Sequence, residues 1–109
     1  MPTTDDYINY CLDQLRMFST LKIRKMFGEC MIYIDQRPAI LVCDNTPYVK
    51  MHDSVKPFLS NASVGYPYQG AKLHYILDVD DAQLTYQVLQ ALLPYLSIPK
   101  PKKRKMIQE

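Results

Sequence analysis

Three cysteines and two histidines are the most reactive side chains in this chain of 109 residues. They are Cys11, Cys30, Cys43, His52 and His74. A nucleophilic cysteine needs a base within hydrogen-bond reach, and neither histidine lies in a catalytic motif with a cysteine. No two cysteines form a Cys-x-x-Cys pair, and the histidine spacings match no zinc site. The sequence therefore predicts neither a catalytic thiol nor a metal centre.

The cysteines are instead typical of buried thiols. Cysteine is among the residue types most often buried, and an odd number of cysteines does not indicate a disulfide scaffold. A turn at Gln36-Arg37 would nevertheless place Cys30 opposite Cys43 on neighbouring strands. A cross-strand bridge or a redox pair is therefore the alternative to three thiols in the core.

A small acidic cluster, Asp78, Asp80 and Asp81, is the other candidate for chemistry. It precedes a segment with helical apolar spacing, and the start of a helix favours carboxylates, so capping suffices to explain it. The chain has no Gly-x-Ser-x-Gly motif, no P-loop and no dinucleotide-binding glycine pattern. We therefore predict a protein that is not an enzyme, without cofactor or small-molecule substrate.

Basic residues are concentrated at the C-terminal end, at Lys100, Lys102, Lys103, Arg104 and Lys105. Without these five residues and Glu109, eight basic and ten acidic residues remain, a net charge of −2. A fold that grips nucleic acid usually carries its basic residues on a folded face. The tail by itself could attract nucleic acid through counterion release, or it could be a solvated terminus. We predict a folded domain over residues 1–98 and a flexible basic tail over residues 99–109.

Composition and the N-terminal sequence bear on where the protein resides. Hydrophobic residues make up 48% and charged residues 22%, which is typical of a globular domain. No apolar run approaches the ~20 residues that cross a bilayer, and the N terminus lacks the features of a secretory signal. These patterns predict a cytoplasmic protein without a membrane partner.

The periodicity of apolar residues predicts one α+β domain. A helical stripe runs over residues 4–20, and four short strands follow over residues 23–27, 30–34, 39–43 and 48–51. Connections this short require antiparallel hairpins. A short helix over 53–59, an irregular link, a strand over 72–79 and a closing helix capped by Asp80 or Asp81 complete the chain. The prediction is a two-layer sandwich with an antiparallel sheet of about five strands, in the order α-β-β-β-β-α-β-α.

The turn at Gln36-Arg37 also fixes the expected faces of the sheet. Ile32 would face Leu41 in the core, whereas Tyr33 would face Ile40 on the second side. This second side is apolar as well, which is unusual for an antiparallel sheet with one face in water. Either the chain's own loops cover it, or it is a dimer or partner surface.

Several short motifs follow one another along the chain: Arg24-Lys25-Met26-Phe27-Gly28, Tyr33, Tyr48-Val49-Lys50 and Tyr66-Pro67-Tyr68. In this order the chain resembles the TfoX N-terminal domain family over about residues 7–95. The family includes the N-terminal half of bacterial competence regulators, so the resemblance implies an α+β fold and a role in regulation. Within the first motif, Met26 and Phe27 are also expected in the core, with Gly28 in a turn of positive φ.

These observations favour a regulatory or adaptor domain that binds another protein, either a second copy of the chain or the transcription machinery. The predicted partner-binding residues are Arg24, Lys25, Phe27, Tyr33, Ile40, Tyr48, Lys50 and Tyr68. The alternative is a nucleic-acid-binding module that uses the basic tail with tyrosine platforms on the sheet and its link. These tyrosines are Tyr33, Tyr48, Tyr66, Tyr68 and Tyr75.

Overall fold

A computed structural model of the protein describes residues 3–26 and 28–98. Within them the elements follow in the order α1-β1-β2-β3-β4-α2-β5-β6-α3. The helices are α1 Asp5–Gln14, α2 Lys56–Leu59 and α3 Ala82–Leu92, with single 3₁₀ turns at Asp53–Val55 and Leu93–Tyr95. The strands are β1 Leu21–Met26, β2 Glu29–Ile34, β3 Arg37–Cys43, β4 Thr46–Lys50, β5 Val64–Gly65 and β6 His74–Ile76.

The six strands form one open antiparallel sheet in the order β1-β2-β3-β4-β6-β5. The predicted α+β architecture is therefore confirmed. The additional strand, β5, has two residues and pairs with β6 inside the segment that the sequence predicts as an irregular link. Two residues are too few to produce a periodic pattern, which is why the sequence does not reveal this strand.

The hairpin between β2 and β3 turns one residue earlier than the sequence suggested. Asp35 and Gln36 both have positive φ, 53° and 68°, and Ile34 pairs with Arg37. Positive φ at both loop residues belongs to the hairpin turn whose twist matches the strands, and Asp is one of the few side chains that tolerates it. The register then shifts by one residue between Ile32 and Tyr33, which leaves an extra residue in β3.

This register corrects the predicted faces of β3. Cys30 pairs with Val42 and Ile32 pairs with Ile40, so the expected pairing of Cys30 with Cys43 is wrong. Ile40 is fully buried in the helix-facing core and is not a surface residue of the second side. Because side chains alternate along a strand, Leu41 and Cys43 lie on the opposite face.

The helix ends show which polar groups position α1 and α3. Thr4 caps α1 by accepting a hydrogen bond from the Tyr7 amide at 3.2 Å, and Asp81 caps α3 by accepting from the Leu84 amide at 3.0 Å. Helix α1 ends at Gln14, earlier than the predicted stripe over residues 4–20. The Leu15 amide donates to both Cys11 and Leu12, so the chain tightens and leaves the helix there.

All three helices pack on one side of the sheet. Their buried residues join the inward side chains of the strands in a single cluster. Its members include Ile8, Cys11, Leu15, Cys30, Ile32, Ile34, Ile40, Val42, Val49, Val55, Leu59, Tyr75, Leu77, Val88, Leu89 and Leu92. Within the described part of the chain, no helix is long and apolar enough to cross a membrane. One layer of helices on one face of an open sheet leaves the other face as the candidate site.

Candidate functional site

The outer face is defined here as the sheet face opposite the helices. Its central feature is a row of apolar side chains that are directly paired across four neighbouring strands: Met31, Leu41, Tyr48 and Ile76. All four are half-buried, and none belongs to the core cluster or packs against it. At about 4.8 Å between strands, this row, called the Leu41 row below, is about 14 Å long.

Tyr48 extends the Leu41 row beyond β6. A Cβ atom placed on Gly65 of β5 would lie 3.4 Å from Cε1 of the Tyr48 ring and 3.6 Å from its hydroxyl oxygen. The Tyr48 ring therefore reaches across β6 to the far edge of the sheet. It also makes an edge-on contact with His74, with 6.4 Å between ring centroids.

Basic side chains flank the row on the outer face. Lys22 pairs with Tyr33, and Arg24 pairs with Met31 at the end of the Leu41 row. Both basic residues are exposed, and neither forms an ion pair among residues 3–26 and 28–98. Lys50 lies on the same face next to His74. The outer face is thus an apolar strip with cations on its β1 side and at Lys50.

The side chains of Arg24 and Lys25 lie on opposite faces of the sheet, because the two residues are adjacent in a strand. The side chain of Lys25 lies on the helical side, where its Nζ is 2.5 Å from Oδ1 of Asp5. That carboxylate raises the pKa of Lys25. Met26, which was expected in the core, is half-buried on the outer face with Arg24. Gly28 has the expected positive φ, 82°.

The thiols lie in two places and are all buried. Cys11 and Cys30 belong to the core cluster, and burial raises the pKa of both, for Cys11 to about 11. Cys43 is 4% exposed and lies on the outer face beside Glu29. Burial and then the Glu29 carboxylate, with its hydrogen bond, raise the pKa of Cys43 to about 12. At neutral pH these groups are therefore protonated thiols, which are poor nucleophiles and poor metal ligands.

The remaining predicted residues lie in the segment between β5 and β6, on the helical side, or outside the described residues. Tyr66 and Tyr68 are 64% and 52% exposed in the segment between β5 and β6, whereas Tyr75 is buried on the helical side. Phe27, Lys100, Lys102, Lys103, Arg104 and Lys105 lie outside the described residues. The structure thus brings together Arg24, Tyr33, Tyr48 and Lys50 on one face.

Sequence reasoning missed Lys22, Leu41 and Ile76 as members of the face. Leu41 lies on this face because the register shift between Ile32 and Tyr33 adds one residue to β3 and exchanges its two faces. The turn at Asp35-Gln36 alone would have left Leu41 on the core side, since it moves the pairing by two residues. Lys22 was missed because the predicted first strand began at residue 23. No sequence signal indicated that Ile76 would extend the Leu41 row, since β6 pairs with β4 across an intervening segment.

An open cleft of about 620 Å³ lies between α2 and the connection from β6 to α3, and Ile76 at the end of the Leu41 row also lines it. Its lining includes Phe58, Asn61, Ser63, Asp78 and Leu84. Asp78 accepts a hydrogen bond from the Asp80 amide at 3.2 Å, which is a local turn contact. No group of three or more potential metal-ligating side chains comes together in residues 3–26 and 28–98. The cleft therefore offers no converging set of charged groups.

The fold and the outer face define a small α+β domain whose sheet has helices on one side only. The chain is 32% identical over 107 residues to the "Uncharacterized 12.7 kDa protein in trpE 5'region" of Spirochaeta aurantia, covering 96% of this chain and 93% of that protein. The chain belongs to the family of that protein. No family model and no solved structure matches the chain.

Proposed function

We propose that this protein is a non-enzymatic regulatory or adaptor domain that binds another protein through the outer face of its sheet. The observation that carries the proposal is the Leu41 row, four apolar side chains paired across β2, β3, β4 and β6 outside the core. The resemblance to the TfoX N-terminal domain family supports the regulatory part of the proposal.

The physical argument rests on the asymmetry between the two sides of the sheet. An antiparallel sheet with one face in water usually alternates apolar and polar residues, so its wet face is polar. Here Met31 and Leu41 interrupt that alternation at the centre of the sheet. A contiguous apolar patch with a polar rim is the usual signature of a protein-interaction site. Lys22 and Arg24 form the β1 side of this rim and favour a partner with negative charge at the same place.

A nucleic-acid-binding module is the second candidate, and the pairing of Lys22 with Tyr33 favours it. Tyr48 and Lys50 also share the outer face, so basic and aromatic side chains alternate there. Such an arrangement can hold single-stranded nucleic acid by stacking and charge. The eight basic and ten acidic residues outside the tail argue against this candidate, because a fold that binds nucleic acid usually carries an excess of basic residues on its folded surface.

The proposal is tested by affinity capture with the wild type, followed by identification and purification of the captured protein. We expect direct binding between the two purified proteins, and Leu41→Lys should weaken it by about tenfold or more because it places a charge at the centre of the apolar row. Gln87→Lys adds the same charge to an exposed position of α3 and should leave the affinity unchanged.

Two results would contradict this function. One is a captured protein whose purified form binds Leu41→Lys and Gln87→Lys equally well. The other is a wild type that is monomeric in light scattering, captures no protein and binds an oligothymidine at low salt. The second candidate then replaces the first if Lys22→Glu abolishes the oligothymidine binding.

A further inference from the structure

Strand β1 is one edge of the sheet and has six residues, whereas the opposite edge strand, β5, has two. Its four central residues, Lys22, Ile23, Arg24 and Lys25, are all exposed. An exposed edge strand carries a row of unpaired backbone donors and acceptors that can take up another strand. Among residues 3–26 and 28–98, strand β1 is therefore the longer of the two edges that pair with a strand on one side only.

The hydrogen bond between Thr20 and Asp35 shows which backbone groups of β1 point away from β2. The carbonyl of Thr20 accepts from the Asp35 amide at 2.9 Å, so residue 20 directs its backbone toward β2. In an antiparallel pair this direction alternates along the strand. Lys22 and Arg24 therefore bond to β2, and the N–H and C=O groups of Leu21, Ile23 and Lys25 point toward the free edge.

The side chains of β1 alternate in chemistry as well. Lys22 and Arg24 lie on the outer face without an ion-pair partner among the described residues. Ile23 lies on the helical side and is 40% exposed. Lys25 is also on the helical side, but Asp5 already neutralises it. A strand added at this edge would thus meet two free cations on one face and an uncovered isoleucine on the other.

We infer that the free edge of β1 accepts an extended acidic segment of another protein as a seventh, antiparallel strand. Carboxylates of that segment face Lys22 and Arg24, and an apolar residue lies opposite Ile23. The inference rests on the proposed function and specifies the chemistry of the partner. The main-chain hydrogen bonds of the added strand provide affinity, and the alternating side chains of that strand provide specificity.

The charges of β1 select a different protein over a second copy of this chain. An antiparallel, twofold-related copy would place Lys22 opposite Arg24, or each of these residues opposite itself. Directly opposed like charges destabilise a strand pair, and lysine at an edge strand is a common protection against self-association. An acidic strand would instead place carboxylates opposite Lys22 and Arg24, so the electrostatic interaction between the two strands becomes attractive.

The test uses a fluorescein-labelled ten-residue peptide of alternating Glu and Val, titrated with the full-length protein at low salt. We expect saturable binding, and a peptide with Gln in place of Glu should bind roughly tenfold more weakly. N-methylation of the valines should abolish binding because these residues pair with Ile23 and its outward-pointing neighbours. N-methylation of the glutamates should leave binding intact, because their amides point away from β1.

Two matched pairs of substitutions complete the experiment. The double variant Lys22→Glu with Arg24→Glu should weaken peptide binding by about tenfold or more. The control, Lys56→Glu with Lys72→Glu, makes the same change in net charge at exposed positions outside β1 and should have little effect on peptide binding. Equal weakening by both pairs, equal effects of the two N-methylated peptides, or no binding of the acidic peptide would overturn the inference. Tighter binding of an oligothymidine through Lys22 and Arg24 would overturn it as well.

Leu41→Lys separates this inference from the proposed function. The substitution leaves the edge of β1 intact, so it should retain the peptide and lose the purified partner. If the acidic peptide fails to bind while Leu41→Lys still abolishes partner binding, the edge inference is wrong and the proposed function stands. If the peptide binds and Leu41→Lys has no effect on the partner, the edge inference stands and the role of the outer face is wrong.

Discussion

The ring of Tyr48 on β4 contacts the backbone position of Gly65 on β5, although strand β6 lies between them. A Cβ atom at Gly65 would lie 3.4 Å from Cε1 of Tyr48, an ordinary contact distance, so the ring leaves little space there for a larger side chain. The two residues are 17 positions apart in the chain and meet only because β5 and β4 flank β6. Tyr48 thereby closes the Leu41 row at the far edge of the sheet.

Substitutions at Gly65 should show a sharp dependence on size. A Cβ at 3.4 Å from the ring is an ordinary contact, so we expect Gly65→Ala to change the free energy of unfolding by less than about 0.5 kcal/mol. Gly65→Leu should cost about 1–3 kcal/mol, because its larger side chain must displace the Tyr48 ring. Urea denaturation followed by circular dichroism measures both. Equal free energies of unfolding for the two variants would show that the Tyr48 ring does not occupy the space beside Gly65.

Ile40 and Leu41 are neighbours in β3 that test the register of the hairpin between β2 and β3. Ile40 is fully buried, so Ile40→Ala should lower the free energy of unfolding by about 2–4 kcal/mol. Leu41 is half-buried on the outer face, and Leu41→Ala should cost about 1 kcal/mol or less. Denaturant titrations of the two variants check the order of the effects. A larger loss for Leu41→Ala would mean that Leu41 faces the core, as it would in a hairpin without the shift between Ile32 and Tyr33.

The three cysteines should resist labelling in the folded protein. With pKa values raised to about 11 for Cys11 and about 12 for Cys43, about one thiol in a thousand or fewer is ionised at pH 8. We expect 5,5′-dithiobis(2-nitrobenzoate) to react with none of them within minutes, and with all three in concentrated urea. Rapid reaction of a single thiol under native conditions would instead indicate an activated cysteine.

The raised thiol pKa values also predict the response of stability to alkaline pH. An unfolded thiol has an ordinary pKa of 9.0, whereas folded Cys43 has one of about 12. The unfolded chain therefore loses protons first, and stability that is fully present below pH 9 falls as the pH rises toward 12. Each thiol contributes up to about 1.4 kcal/mol per pH unit in this range.

Cys43→Ala is the variant that isolates one thiol. This substitution removes the outer-face thiol, whose pKa is raised, and leaves Cys11 and Cys30 in the core unchanged. Its free energy of unfolding should fall less steeply than that of the wild type between pH 9 and pH 11, as denaturant midpoints at each pH would show. Parallel curves for the two proteins would mean that Cys43 ionises equally in the folded and unfolded states.

The amino-acid sequence by itself determined the class of the fold and most of its elements. Helical spacing, short hairpins and capping residues such as Thr4 and Asp81 depend on interactions within a few residues, which a local pattern records. The same holds for the turn at Asp44 and Asn45, where both residues have positive φ. The helices, hairpins and turns that the sequence predicted correctly are therefore those that local backbone preferences determine.

Only the tertiary structure decided which side chains share a face. The one-residue bulge between Ile32 and Tyr33 exchanged the two faces of β3, and pairing between distant segments joined Ile76 to Tyr48 and Lys22 to Tyr33. The physical reason is the two-residue repeat of a strand, in which one step of register moves every side chain to the other side. The composition of the outer face is therefore set by the bulge in β3 and by long-range pairing.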